Sequence, residues 1–338
     1  MSLVSAPALC TAAYSCGPVR LELNYEDPAW REALDGLLSQ YDAPWPDSKV
    51  NFSIAIQRGN PSVNLPDPRG NYLRSYRLHV DRCGSHLISR SNVGVWMDFD
   101  ESTRNARIIV TDETDPATMI EEIEQQLVLL LARAWASEGW TPLHAGTLLW
   151  PGADNGIFVC AHSGVGKSTF TTAMLCRGWH TLGDDKALLR NEDGRIVARA
   201  LSRRFHLHPA TANWFPELGD IERWPRYSRW TEKRMVKMGE LWAGQLEDIA
   251  IPKAIIQLAR GGSETALKVE PLDFMTTLNT LLRQIAIPTD ARDARPLVAC
   301  ATALAGKLRG VTVTVGENAF ADKATAGRIE EILRELLS

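Results

Sequence analysis

Three observations predict an α/β fold in two parts, a smaller strand-rich N-terminal domain over residues 1–115 and a larger domain over 116–338. First, a short apolar run at 157–160 leads through the glycine-containing stretch 161–168 (AHSGVGKS) into a helical segment ending near Arg177 and Gly178. Second, the first 115 residues fall into short apolar-polar alternations separated by turn residues. Third, the remainder mixes apolar strand-like runs with segments of helical period.

Taken in order, 19–23 and 51–56 alternate as strands, with one short helix at 30–38 between them. A polar, proline-rich loop at 58–71 precedes further strands at 76–80, 86–89, 93–99 and 106–110. A helix is predicted from Pro116 to about Ser137, with Met119, Ile120, Ile123, Leu127, Leu130, Leu131 and Ala134 on its buried face. The run 142–150 reads as a single strand carrying His144. Residues 186–190 and 195–200 flank Glu192-Asp193-Gly194, a hairpin signal. The chain from Arg203 to Lys237 is basic and aromatic, includes His206, Tyr227 and Lys233, and reads as a loop region that could reach phosphates or an acceptor. Beyond it come a strand at 251–258, helices at 271–284 and 295–308, a strand at 310–315 and a closing amphipathic helix at 324–337.

Composition narrows the class. The chain has 338 residues, 45% hydrophobic and 23% charged, as in an ordinary globular protein. A net charge of −4 provides no global attraction to nucleic acid or to an anionic membrane. No apolar run reaches the ~18 residues a membrane helix needs. The N-terminal stretch lacks the positive start of a secretory signal, and the six cysteines are scattered without metal-ligand spacing, so a reducing cytoplasm is the expected location. His79, Asp81 and His86 have no spacing that supports ligation and read as surface residues on a hairpin.

The stretch at 161–168 fits the phosphate-loop pattern of a small residue, four residues, then Gly-Lys-Ser. Gly164 and Gly166 permit backbone angles closed to other residues, so that successive N–H groups can point at phosphate oxygens. The helix that follows presents its positive end to the same anion. Ser163, Gly164, Val165, Gly166, Lys167, Ser168 and Thr169 are therefore the expected nucleotide contacts, Lys167 reaching the β- and γ-phosphates and the Ser168 hydroxyl ligating Mg²⁺. Asp184 and Asp185 follow at the end of the next strand, where one carboxylate can serve Mg²⁺ while the other faces an acceptor.

His144-Ala-Gly146, the loop, Arg177-Gly178 and Asp184-Asp185 together resemble the catalytic domain of HPr kinase/phosphorylase and its wider set of HPr kinase-like proteins. The resemblance is close over about fifty residues and looser through 251–258 and 269–272; the N-terminal part and the C-terminal signature that accompanies phosphorolysis do not match. It implies a P-loop kinase domain on a sheet related to phosphoenolpyruvate carboxykinase, with ATP and Mg²⁺ as cofactors. The acceptor would be a hydroxyl of a peptide, protein or small molecule rather than HPr. It further implies that Asp184 takes the acceptor proton, that His144 orients Asp184, and that Asp185 with Ser168 holds the metal. The alternative is a nucleotide-hydrolysing or nucleotide-binding regulatory module with weak catalysis. Assembly with further copies of the chain is left open.

Overall fold

The structure, a computed structural model, describes residues 9–45, 50–61, 72–73, 77–111, 116–227, 231–262, 267–285, 291–316, 319–320 and 322–338. The chain divides into two compact units, Met1–Tyr41 with Trp45–Gly139, and Asp42–Pro44 with Trp140–Ser338. The long predicted helix thus lies in the first unit, and the division falls after Gly139.

In the first unit, β1 (Cys10–Cys16), β2 (Val19–Tyr25), β3 (Val50–Arg58), β4 (Tyr72–Leu73), β5 (Leu78–Cys83), β6 (His86–Ser91), β7 (Val95–Asp100) and β8 (Asn105–Val110) form one sheet. Its order is β1-β2-β3-β8-β7-β6-β5-β4, with β3 parallel to both β2 and β8. Strict alternation along β2 buries Val19, Leu21, Leu23 and Tyr25 on one face, which fixes its register. Sequence reading missed β1, which lies in the stretch weighed as a signal segment and pairs with β2 along its whole length. The predicted loop at 58–71 and the start of the strand at 76–80 fall largely outside the described residues.

Helix α1 (Trp30–Leu38) has the predicted bounds, and α2 (Pro116–Ser137) packs on β7 and β8. Met119, Ile123, Leu127, Leu130, Leu131 and Ala134 are buried as their spacing predicts, each contributing apolar area removed from water, whereas Ile120, expected with them, is half-buried. Polar anchors fix α2 as well: Gln126 Nε2 donates to Val95 O at 3.0 Å, and Trp135 Nε1 to Cys16 O at 2.9 Å. Glu101, in the β7–β8 turn, accepts a two-pronged bond from Arg82 at 2.7 and 3.1 Å and another from Arg133 of α2 at 3.0 Å.

The second unit contains β9 (Thr141–Leu143), β10 (Gly146–Leu149), β11 (Asn155–Ala161), α3 (Lys167–Leu175), β12 (His180–Gly183), β13 (Ala187–Glu192), β14 (Arg195–Ala200), β15 (Arg204–Leu207), β16 (Arg234–Lys237) and α4 (Met238–Leu241). These are followed by β17 (Ile249–Arg260), β18 (Lys268–Leu272), α5 (Phe274–Gln284), α6 (Ala291–Ala305), β19 (Arg309–Val315) and α7 (Lys323–Leu337). The main sheet runs β12-β10-β11-β17-β14-β13-β9, with β19 beside the C-terminal part of β17 and β18 beside β19. Strand β17 is parallel to both β11 and β19, so their carboxyl ends lie on one edge of the layer.

Period-two alternation sends β11 and β17 side chains to opposite faces. Ile157, Val159, Ala254, Ile256 and Leu258 pack with Phe170 and Met174 of α3 and with Ile329 and Leu333 of α7. Phe158, Cys160 and Ile255 pack instead with Leu281 of α5 and with Leu297, Ala301 and Leu304 of α6. A sheet covered on both faces by helices is a three-layer α/β arrangement. Several boundaries differ from the predicted ones: α6 spans Ala291–Ala305 where 295–308 was expected, β17 extends to Ile249–Arg260, and two others have a local cause. Asp273, which accepts from Thr276 N at 2.7 Å, caps α5, so Pro271 and Leu272 stay in β18. The predicted strand at 142–150 is broken at His144 and Ala145, because β9 pairs with β13 while β10 pairs with β11 and β12.

The Glu101 cluster yields a stability prediction. Burial raises the Glu101 pKa, but Arg82 and Arg133 outweigh it and hold the carboxyl below its ordinary range. A depressed carboxyl stabilises above the unfolded-state pKa, and that stability is lost as pH falls through the folded value. Glu101→Gln should cost about 1–3 kcal/mol in urea unfolding at pH 7, and the difference should shrink steadily below about pH 4. A deficit independent of pH would mean that shape, not charge, sets the contribution.

Candidate active site

The site is built where β11 turns into α3. Val165 N donates to His162 O at 3.2 Å, closing a turn, and Phe170 N donates to Gly166 O at 2.8 Å as the first helical bond. Gly166 caps the helix at φ 114°, a backbone region that favours glycine, and contributes no side chain to bond the first-turn N–H groups. The Thr171 and Thr172 hydroxyls bond back to Lys167 O and Ser168 O at 3.1 and 2.8 Å, so both are spent within the helix. Ser163 and Gly164 are exposed, and residues 165–169 are half-buried. The seven residues expected to contact nucleotide thus form one contiguous turn and helix start.

Lys167 reaches across to the end of β12. Its Nζ donates to the Asp184 carbonyl and stands 3.5 Å from Asp185 Oδ1. Gly146 explains how the segments come so close: a Cβ there would lie 2.8 Å from Thr171 Oγ1 and 3.3 Å from Asp184 O.

The two carboxylates have unlike surroundings. Asp184 is 1% exposed, and among the described residues neither of its oxygens has a hydrogen-bond partner of good geometry. Burial pushes its pKa up to about 6; Asp185 adds to that, while Lys167, the Ser168 hydroxyl and Lys233 pull the other way. Asp185 is more open, its side chain 24% exposed, with His144 Nε2 at 3.0 Å and Lys186 Nζ at 3.7 Å. Burial would raise Asp185, but Lys167, His144 and Lys186 outweigh it and hold it well below the ordinary range.

His144 was expected to orient Asp184, and this pairing is corrected: its ring meets Asp185. The cause is the strand break. His144 stands between β9 and β10 with its backbone N–H bonded to Gln284 O at 3.0 Å, which leaves the ring half exposed and directed at the second carboxylate.

The basic and aromatic stretch is also partly reassigned. Arg203 is taken up by Asp248 and by Glu247 O at 2.6 Å, and Arg204 is paired with Asp42 at 3.3 Å, so both brace the unit. His206 on β15 was given no individual role from sequence. It is buried, its Nε2 has no partner among the described residues, and its ring lies 4.0 Å from that of Tyr227. Burial pushes its pKa down to about 4 against the pull of Asp185, with Lys186, Lys233 and Lys167 adding to the lowering. It stands on β15 opposite Met235 of β16, and no local sequence signal marks it.

Among the described residues no group of three or more His, Cys, Asp or Glu side chains could hold a metal ion by itself. His86, weighed earlier as a ligand, is instead bonded to Asp98 at 2.7 Å. A site of one or two carboxylates and a hydroxyl suits Mg²⁺, which keeps waters and phosphate oxygens as its other ligands. The unpartnered Asp184 oxygens beside Ser168 fit such an ion. No helix of the described residues is long and apolar enough to cross a membrane.

Asp184 carries a measurable penalty. A raised carboxyl destabilises the native state once the pH exceeds its unfolded-state pKa, and the full cost is reached above its folded value. Asp184→Asn should therefore raise ligand-free stability by roughly 1–3 kcal/mol at pH 7.5, with the gain shrinking below about pH 6 and vanishing below about pH 3, where both states hold the proton. Thermal unfolding across that range checks it, and a loss of stability at pH 7.5 would contradict it.

No family model matches the chain, and no curated protein matches it. Among solved structures, the HPr(Ser) kinase/phosphatase from Coxiella burnetii is a distant neighbour, at 11% identity and a TM-score of 0.31, over 57% of this chain and 94% of that one.

Proposed function

We propose that this protein is a nucleotide-dependent kinase of the HPr kinase-like kind, transferring the terminal phosphoryl group of ATP to a hydroxyl of a peptide, protein or small molecule. The observation that carries this reading is the buried, unpartnered Asp184 carboxylate set against a Gly-Lys-Ser loop at the head of α3. A buried carboxylate without a donor is costly, and a cation beside bound phosphates would offset that cost. Mg²⁺ bound there would neutralise charge developing on the phosphoryl oxygens.

The chain's own groups divide the remaining work. Backbone N–H groups from Ser163 to Thr169 bind phosphate oxygens, and Lys167 supplies the positive charge on the terminal phosphates. Sequence reading assigns the base to Asp184 and the metal to Asp185; burial and partners favour the reverse. Asp184 lies too deep for an acceptor and stands beside Ser168, whereas Asp185 is open and already bonded to an imidazole. In this division Ser168 and Asp184 hold the ion. Asp185 Oδ1 receives the hydroxyl proton, with His144 fixing that carboxylate.

The two aspartate variants separate the assignments. Asp185→Asn should bind Mg–ATP within a few-fold of the wild type and lose about 10²–10⁴ in kcat. Asp184→Asn should raise the Mg²⁺ concentration needed for half-maximal rate. His144→Ala should cost less rate than Asp185→Asn and shift the acidic limb of the pH–rate profile. Steady-state ADP formation as a function of Mg²⁺ reads all three. The opposite pattern would restore the base to Asp184, and equal loss of metal dependence in both variants would make the pair one metal site.

A further inference from the structure

On the α5 side of the sheet there is an open cavity of about 210 Å³ whose polar lining includes His162, Gln257, Thr276, Asn279, Arg283 and Gln284. It lies at the end of β11, beside Gln257 near the carboxyl end of β17, the edge of a parallel sheet where ligands bind. Neither His144 nor Asp185 lines it, but one lining residue is bonded to the backbone of His144. Gln284 lines it and accepts the His144 backbone N–H at 3.0 Å, while the His144 ring stands 3.0 Å from Asp185.

The lining has a definite chemistry. Among the described residues it contains a guanidinium, an imidazole, three primary amides, two hydroxyls and a thiol, and no carboxylate. Among the described residues the exposed Arg283 side chain has no acidic partner and no hydrogen bond, so its charge is available to a ligand. Thr280 Oγ1 lies 2.9 Å from Gln257 Oε1 and orients that amide. A volume below the ~300 Å³ floor of drug-sized sites suits a metabolite-sized occupant. An unpaired guanidinium beside polar donors and acceptors selects an anionic, hydrogen-bonding molecule.

We propose that this cavity seats the acceptor, and that the acceptor is a small hydroxy acid: its carboxylate pairs with Arg283, the amides of Gln257 and Asn279 hold its polar body, and its hydroxyl points to the His144–Asp185 pair. This rests on the kinase reading above. The step balances as follows. The alcohol oxygen bonds to the terminal phosphorus of ATP, the bond from that phosphorus to the bridging oxygen breaks with its electron pair leaving on ADP, and the hydroxyl proton passes to Asp185.

The test is ligand-observed NMR on the full chain with D-glycerate, L-serine, L-malate and (R)-3-hydroxybutyrate, with glycerol as the neutral control. The wild type, Arg283→Gln, Arg283→Lys and Asn279→Trp are compared, each first shown to melt like the wild type. At least one hydroxy acid should bind the wild type while glycerol does not. Its affinity should fall about tenfold or more in Arg283→Gln, recover in part in Arg283→Lys, and vanish in Asn279→Trp. Mg–ATP titrated into the same samples should bind equally to all four proteins. The proposal is overturned if no hydroxy acid binds, if Arg283→Gln binds as the wild type does, or if Arg283→Gln loses Mg–ATP instead, which would give the cavity to the donor. Failure of the wild type to bind Mg–ATP would sink the kinase reading alone, while the NMR comparison would still decide what the cavity binds.

Discussion

One ammonium group ties the candidate site together. Lys167 leaves the first turn of α3, donates to the Asp184 carbonyl and faces the Asp185 carboxylate, so the loop after β11 and the end of β12 are held by a single cation. That cation is only 10% exposed. Oxygens of the β12 end face that ammonium, and a phosphate chain would compete for the same charge. The close approach at Gly146 and the left-handed cap at Gly166 are the backbone conditions for that reach.

The site also depends on two neighbouring carboxylates not being equivalent. Consecutive residues at a strand end point in different directions, and here one points into the unit and the other outward. The inward one has no well-placed donor among the described residues and is disfavoured as an anion; the other is surrounded by Lys167, Lys186 and His144 and is favoured as an anion. Two identical side chains thus acquire different chemistry from position alone, as the proposed division of labour between metal ligand and proton acceptor requires.

Much of this was legible in the sequence because it is local. The strand, glycine turn and helix around Lys167 follow from residues a few positions apart, as do α1, with Trp30, Leu34 and Leu38 buried at helical spacing, and the apolar face of α2. What failed was non-local. Nothing near His144 says that its strand changes partners, so its imidazole went to the wrong aspartate. Strand β1 was hidden because a small-residue stretch resembles a leader until its partner β2 is known. His206 and Arg203 look alike in a basic stretch; one is buried on β15 opposite Met235 of β16, and Asp248 takes the other. The cavity residues Gln257, Asn279 and Arg283 come from a strand and a helix with no shared pattern between them.

The most direct measurement of the central claim is isothermal titration of Mg–ATP into the wild type and Lys167→Ala. Binding to the wild type with a loss of about 10²-fold or more in the variant is the predicted result, since one phosphate-facing ammonium in a half-buried site is worth several kcal/mol. Equal binding to both proteins, or none to the wild type, would contradict it.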